Sequence, residues 1–197
     1  MRFDERLDPL LSQIAERIAV CTKCDLAGSR INTVPGEGPQ HAEIVFVGEA
    51  PGANEDEEGR PFVGQSGKLL TKLMGDAGIK REDVFITSVL KCRPPDNRNP
   101  TADEVRLCVP YLLTQIDSIS PKVIVTLGNV PYEMFSHTFY LPKKNVGDVR
   151  GQVFRLHSTG AKYLIPTYHP AALLYNRKLT PLFVEDLKKA DHYARIE

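Results

Sequence analysis

The sequence predicts an α/β domain in which a mostly parallel sheet is covered by helices on both faces. Four short β-rich runs, "EIVFVG", "DVFITSVL", "KVIVTLG" and "KYLIPTY", recur along the chain. Helical patterns separate them, around "SGKLLTKLMGDAG", "TADEVRLCVPYLLTQIDSI" and "VPYEMFSH". Strands that alternate with helices are the signature of parallel strands joined by helical crossovers. The hydrophobic content, 42% of 197 residues, suffices for one core, so residues 1–197 are expected to form a single domain.

The elements follow in order. Leu7, Leu10, Leu11, Ile14 and Ile18 recur at helical spacing, which predicts an amphipathic helix ending near Cys21. The N-terminal stretch has no uninterrupted apolar run, so neither a signal peptide nor a membrane span is expected, and a cytoplasmic location is. The first strand, "EIVFVG", opens directly into "GEAPGANEDEEGRPFVGQSG", Gly48 to Gly67. "VRGQVFRLHS" reads as a hairpin strand inserted before the last core strand, and a final helix is expected from about Pro181 to Ala194. Segments 48–67, 88–98 and 169–177 all follow strand ends, where open α/β sheets bind ligands, so three loops are expected to converge on one pocket.

The composition excludes little. Lys plus Arg and Asp plus Glu are both 25, so any polyanion site must come from local clustering. The turn after the first strand lacks the G-x-G-x-x-G and Gly-Lys-Ser/Thr fingerprints, which argues against a nucleotide-phosphate cradle. The cysteines form the pattern Cys21-x2-Cys24 and Cys92-x15-Cys108, which uses all four in the chain. In a reducing compartment disulfides are not expected, and four thiolates suggest a metal centre. The alternative makes Cys92 and Cys108 core residues and leaves only the CxxC special. The second pair is too open for a zinc ribbon, and a [4Fe–4S] cluster tolerates such spacing better. Its role would be structural, stapling the first helix to the loop after the second strand.

Taken together, "GEAPGANEDEEGRPFVGQSG", "KCRPPDNRNPTADEVRLC" and "HPAALL", with the two cysteine pairs, closely resemble family 4 uracil-DNA glycosylases, the iron–sulfur branch of that superfamily. The resemblance runs from Cys21 to about Tyr175. It implies an αβα sandwich with a central four-stranded, mostly parallel sheet, removal of uracil from DNA, and a [4Fe–4S] cluster on Cys21, Cys24, Cys92 and Cys108. The ligand at the first loop is then a flipped base, taken out of the helix and read in a closed pocket.

By that resemblance Phe62 stacks on the uracil, the alternative being a core phenylalanine. Glu49, Ala50 and Pro51 form the turn facing the base, where main-chain groups bond its O2 and O4. His169 resembles the histidine that donates a hydrogen bond to uracil O2, with a satisfied structural histidine as the alternative. Glu49 and Asn97 complete the catalytic candidates, Asn97 as a group orienting water or backbone, though turn formation also accounts for it. Related family 1 enzymes carry an aspartate where this chain has Ala50, so water activation by that carboxylate is not available. Where the family has an asparagine reading O4 and N3, this chain offers Ser88. The acids Glu57 and Glu58 are expected to be solvated.

Lys91, Arg93, Arg98, Arg177 and Lys178 are expected to gather positive charge at the mouth as a phosphate footprint. Leu173 and Leu174 are candidates either for an apolar wedge or for helix core. The expected partner is uracil-containing DNA, with no membrane; a sliding clamp or repair polymerase are candidate protein partners, and a monomer is the expected state. A non-catalytic DNA-binding module of the same fold is the competing reading.

Overall fold

The structure, a computed structural model, describes residues 9–157 and 160–196. The expectations for Leu7 and Ser158 lie outside the described residues. In chain order the elements are α1 (Pro9–Ala19), β1 (Ile44–Gly48), α2 (Ala53–Glu58), α3 (Gln65–Asp76), β2 (Phe85–Ser88), α4 (Ala102–Ile119), β3 (Val123–Leu127), α5 (Asn129–Thr138), α6 (Val146–Val149), β4 (Phe154–Arg155), β5 (Tyr163–Thr167), α7 (Pro170–Tyr175) and α8 (Thr180–Arg195).

The sheet has the order β2-β1-β3-β5-β4. Four strands are parallel, as expected, and β4 adds a fifth that runs antiparallel to β5. The "VRGQVFRLHS" segment thus supplies a strand of only two residues, Phe154 and Arg155, paired with Leu164 and Tyr163. Every residue of β1 is buried, because both faces of the sheet are covered. Successive side chains therefore divide between two cores. Val45 and Val47 face α1, α4 and α5, meeting Ile14, Ile18, Leu112, Ile116 and Phe135. Ile44 and Phe46 face α3, α7 and α8, meeting Leu70, Met74, Leu173, Phe183 and Leu187. No helix among the described residues is long and apolar enough to cross a membrane.

Register places the functional loops. Gly48 pairs with Ser88, so the chains leaving β1 and β2 emerge at the same level of the sheet. Beyond Ser88 the chain turns under α4, and Lys91 is 1% exposed, not at the surface as expected. Its ammonium donates to Thr87 Oγ1, to the Ser88 carbonyl at 2.8 Å and to Gln115 Oε1 at 2.8 Å. Three acceptors match the three donors of a lysine, which is what permits its burial. Lys91 thus belongs to the interior and not to a phosphate footprint. Farther along, Thr101 caps α4 in a reciprocal box with Glu104, whose carboxylate also takes both ends of the Arg98 guanidinium, at 2.9 and 2.6 Å. The Arg98 bond is the main reason the Glu104 carboxyl is held down to about 2.

Candidate active site

The acidic run after β1 divides into two kinds of residue. Glu57 and Glu58 are exposed, as expected. Glu55 and Asp56 instead organise the loop. One oxygen of Glu55 accepts from the Val63 and Gly64 N–H groups at 2.9 and 2.8 Å, and the other accepts from Gly52 N–H at 3.1 Å. This single carboxylate folds residues 52–64 back on themselves. Asp56, 2% exposed, accepts from the Ile31 and Asn32 N–H groups at 3.0 and 3.2 Å and ties the loop to the segment after the first cysteine pair.

That folding carries Phe62 over the end of β1. A Cβ at Gly48 would lie 2.6 Å from the Phe62 Cζ atom, so the ring can sit there only because residue 48 is glycine. Phe62 is both core and lining: it packs with Ile44, Leu70 and Leu127 and also borders a cavity of about 360 Å³. Glu49, Ala50, Pro51 and Ser88 border the same cavity, as do Asn97 and His169. The three loops expected to converge do so.

His169 stands at the N-cap of α7, with its ring centroid 5.8 Å from that of Phe62. Its Nδ1 accepts from the Ala171 N–H at 3.2 Å. In a neutral imidazole the proton then resides on Nε2, which leaves one donor on the ring. Burial lowers its pKa to about 4 against a smaller opposing influence of Glu55, so the neutral form prevails at pH 7. Burial also raises the Glu49 carboxyl above its ordinary 4.5, and among the described residues no charged partner offsets it. Ser88, 5% exposed, sits beside Gly48. Asn97 is exposed and adopts a left-handed backbone with φ 54°, while its Oδ1 accepts from Arg93 Nε at 2.8 Å. Asn97 is thus a turn residue that also borders the cavity.

Of the cations expected at the mouth, Arg98 borders the cavity, whereas Arg177 and Lys178 are exposed but do not line it. Leu173 is 1% exposed and belongs to the α3–α8 core, which removes it as a wedge. Leu174 is partly exposed, and the next residue, Tyr175, is 91% exposed. Tyr175 went unidentified in the sequence, as did Glu55. Adjacent residues on a helix differ by about 100° in direction, and α7 has only six residues, too few for periodicity to assign the faces.

All four cysteines are unpaired and line a second cavity, together with Leu26, Leu90 and Arg30. Arg30 Nη1 donates to Cys92 Sγ at 3.4 Å. Among the described residues no group of three or more potential ligands is gathered as a ready-made metal site. The four thiols do, however, share one cavity. Burial pushes the Cys92 thiol up and the Cys108 thiol up to about 11. Thiolates here require added positive charge, which a metal centre supplies, so the residues fit such a group. The two cavities adjoin: Cys24, Cys92 and Cys108 pack with Leu26, Leu90 and Ala50 of the turn after β1.

A family model for the uracil DNA glycosylase superfamily matches residues 35–193. The type-4 uracil-DNA glycosylase of Saccharolobus solfataricus is 49% identical over 91% of this chain and 84% of its own length. That of Archaeoglobus fulgidus is 48% identical over 91% of this chain and 90% of its own. That of Thermotoga maritima is 45% identical over 96% and 97%. By its loops, its fold and these matches, the chain belongs to the uracil DNA glycosylase superfamily, in the type-4 branch.

Proposed function

We propose that the protein excises uracil from DNA, hydrolysing the N-glycosidic bond of a flipped deoxyuridine and leaving an abasic site. The observation that carries this reading is the convergence of Glu49, Phe62, Ser88, Asn97 and His169 on one cavity at the C-terminal edge of the sheet. The relatives' names point the same way. In the ground state the base stacks on Phe62, an interaction worth about 1–3 kcal/mol. Main-chain groups of Glu49 to Pro51 read its polar edge, and Ser88 adds one hydrogen bond. The C1′–N1 bond then breaks with its electron pair leaving on uracil, and the anion's O2 accepts from His169 Nε2–H. A neutral imidazole suits this role, because it donates to the developing charge without giving up its proton. Water adds to C1′ and its proton passes to the Glu49 carboxylate, with Asn97 at the rim orienting the approach. Arg93, Arg98, Arg177 and Lys178 hold the flanking phosphates.

Cys21, Cys24, Cys92 and Cys108 would hold a [4Fe–4S] cluster, which supplies crosslinking rather than redox chemistry. Through it the end of α1 would be fastened to the chain leaving β2 and to α4. Ala50 rests against this region, so the cysteines support the base-facing turn from behind.

Matched oligonucleotides carrying uracil, thymine, cytosine or hypoxanthine test the activity. An alkali-labile abasic site is expected with uracil and not with thymine or cytosine; binding without cleavage would identify a non-catalytic DNA-binding module.

The pH profile tests the two catalytic roles. Single-turnover rate should show no limb from His169 near its ordinary 6.5, because burial keeps that ring neutral there, and should fall on an acid limb set by the Glu49 carboxyl, which burial raises. Glu49→Gln should lower the plateau by about 100-fold or more and remove that limb. An inflection near 6.5 that persists in Glu49→Gln, or a Glu49→Gln rate close to wild type, would contradict these assignments.

Metal content tests the cysteines. Purified protein should be yellow-brown and contain about four irons and four sulfides per chain, and Cys92→Ser should lose both colour and thermal stability. Colourless protein with stoichiometric zinc would overturn the iron–sulfur assignment.

A further inference from the structure

Phe62 occupies the left-handed backbone region, with φ 50°. A bulky residue rarely adopts this conformation, and it persists only where the surroundings impose it. The surroundings are specific. A Cβ at Gly67 would lie 2.0 Å from the Phe62 carbonyl oxygen, so α3 approaches that peptide as closely as glycine allows. On the other side Arg81, in the turn before β2, donates from Nη1 to the Phe62 carbonyl at 3.1 Å and from Nη2 to the Pro61 carbonyl at 2.6 Å. The same guanidinium donates to Thr71 Oγ1 of α3 at 2.9 Å and to Glu37 Oε1 at 2.7 and 3.2 Å.

Glu37 is itself fixed. It exchanges both backbone hydrogen bonds with Ile86 of β2, at 3.0 and 2.8 Å, and its other carboxylate oxygen accepts from Arg60 Nε at 2.9 Å. Burial alone would raise its pKa, but the bonds and charges of Arg60 and Arg81 outweigh burial and keep the carboxylate ionised. Neither Glu37 nor Arg81 borders the base cavity. The planar fork of arginine reaches two carbonyls, a hydroxyl and a carboxylate at once, which the single nitrogen of lysine cannot do.

We infer that Arg81, held by Glu37, is a positioning residue for base recognition, its fork on the Pro61 and Phe62 carbonyls fixing the turn that presents the Phe62 ring to the base. The inference rests on the reading of Phe62 as the stacking ring. It makes Arg81 act on the reaction only through Phe62, without touching DNA.

A double-mutant cycle tests this. Arg81→Ala should slow single-turnover uracil excision by about 10- to 100-fold, the scale of a ring misplaced by an ångström, with affinity for undamaged duplex retained. In a Phe62→Ala background the same change should cost less than about twofold, because the group it positions is gone. Equal losses in the two backgrounds would overturn the inference. Should Arg81→Ala not fold, Arg81→Lys, which keeps the charge and the stem, completes the same cycle. Hydrogen exchange needs no substrate and separates this inference from the proposed activity. Amides of Phe62, Val63 and Gly64 should exchange at least about tenfold faster in the Arg81 variant, with those of Leu70 to Met74 unchanged. Unaltered exchange at residues 62–64 would overturn the positioning role whether or not uracil is excised.

Discussion

The buried Lys91 ammonium is the interaction on which the site side of this fold depends. It joins Thr87 and Ser88 at the end of β2 to Gln115 in the C-terminal half of α4. Gln115 and Thr87 both also donate to the Pro35 carbonyl, which fixes the segment leading towards β1. Removing any one acceptor would leave a buried donor unsatisfied, at a cost of roughly 1–3 kcal/mol. The geometric consequence is larger than the energetic one. Between Ser88, which borders the base cavity, and Cys92, which borders the cysteine cavity, the chain has no freedom to slide. The sites are two ends of one short, pinned segment, and the apolar contact of Ala50 with the cysteine side closes the connection from β1.

Charge is used locally throughout. The chain carries 25 basic and 25 acidic residues, and much of that charge is committed inside the fold and not offered to a partner. Glu55 and Asp56 satisfy backbone N–H groups, Glu37 anchors two arginines, and Glu104 holds Arg98 at the cavity rim. Arg177 and Lys178, by contrast, are exposed after α7. Ser88 offers the cavity a single hydroxyl where a carboxamide could bond two positions.

Much of this was legible in the sequence, and the remainder was not for definable reasons. Alternation of β-rich and helical runs gave the parallel sheet, and the rule that ligands bind beyond strand ends gave the convergence of three loops. Both depend on local patterns. Glu55 was not legible, since its partners Val63 and Gly64 lie eight and nine residues away and meet it only when the loop closes. Arg81 is hidden in the same way, its acceptors lying 19 and 20 residues earlier. Lys91 looked like a surface cation because it neighbours Arg93 and two prolines, and nothing local signals the three acceptors that allow its burial. In α7 the adjacent Leu173 and Leu174 exchange roles by a rotation that six residues do not encode.

The most direct measurement is the structure of the protein bound to a duplex containing 2′-fluoro-2′-deoxyarabinouridine, whose fluorine retards cleavage by disfavouring positive charge on the sugar. The uracil is expected outside the helix, its ring against Phe62, and its O2 about 2.7–3.1 Å from His169 Nε2. A uracil that stays stacked in the duplex, or one seated in the cavity away from both Phe62 and His169, would contradict it.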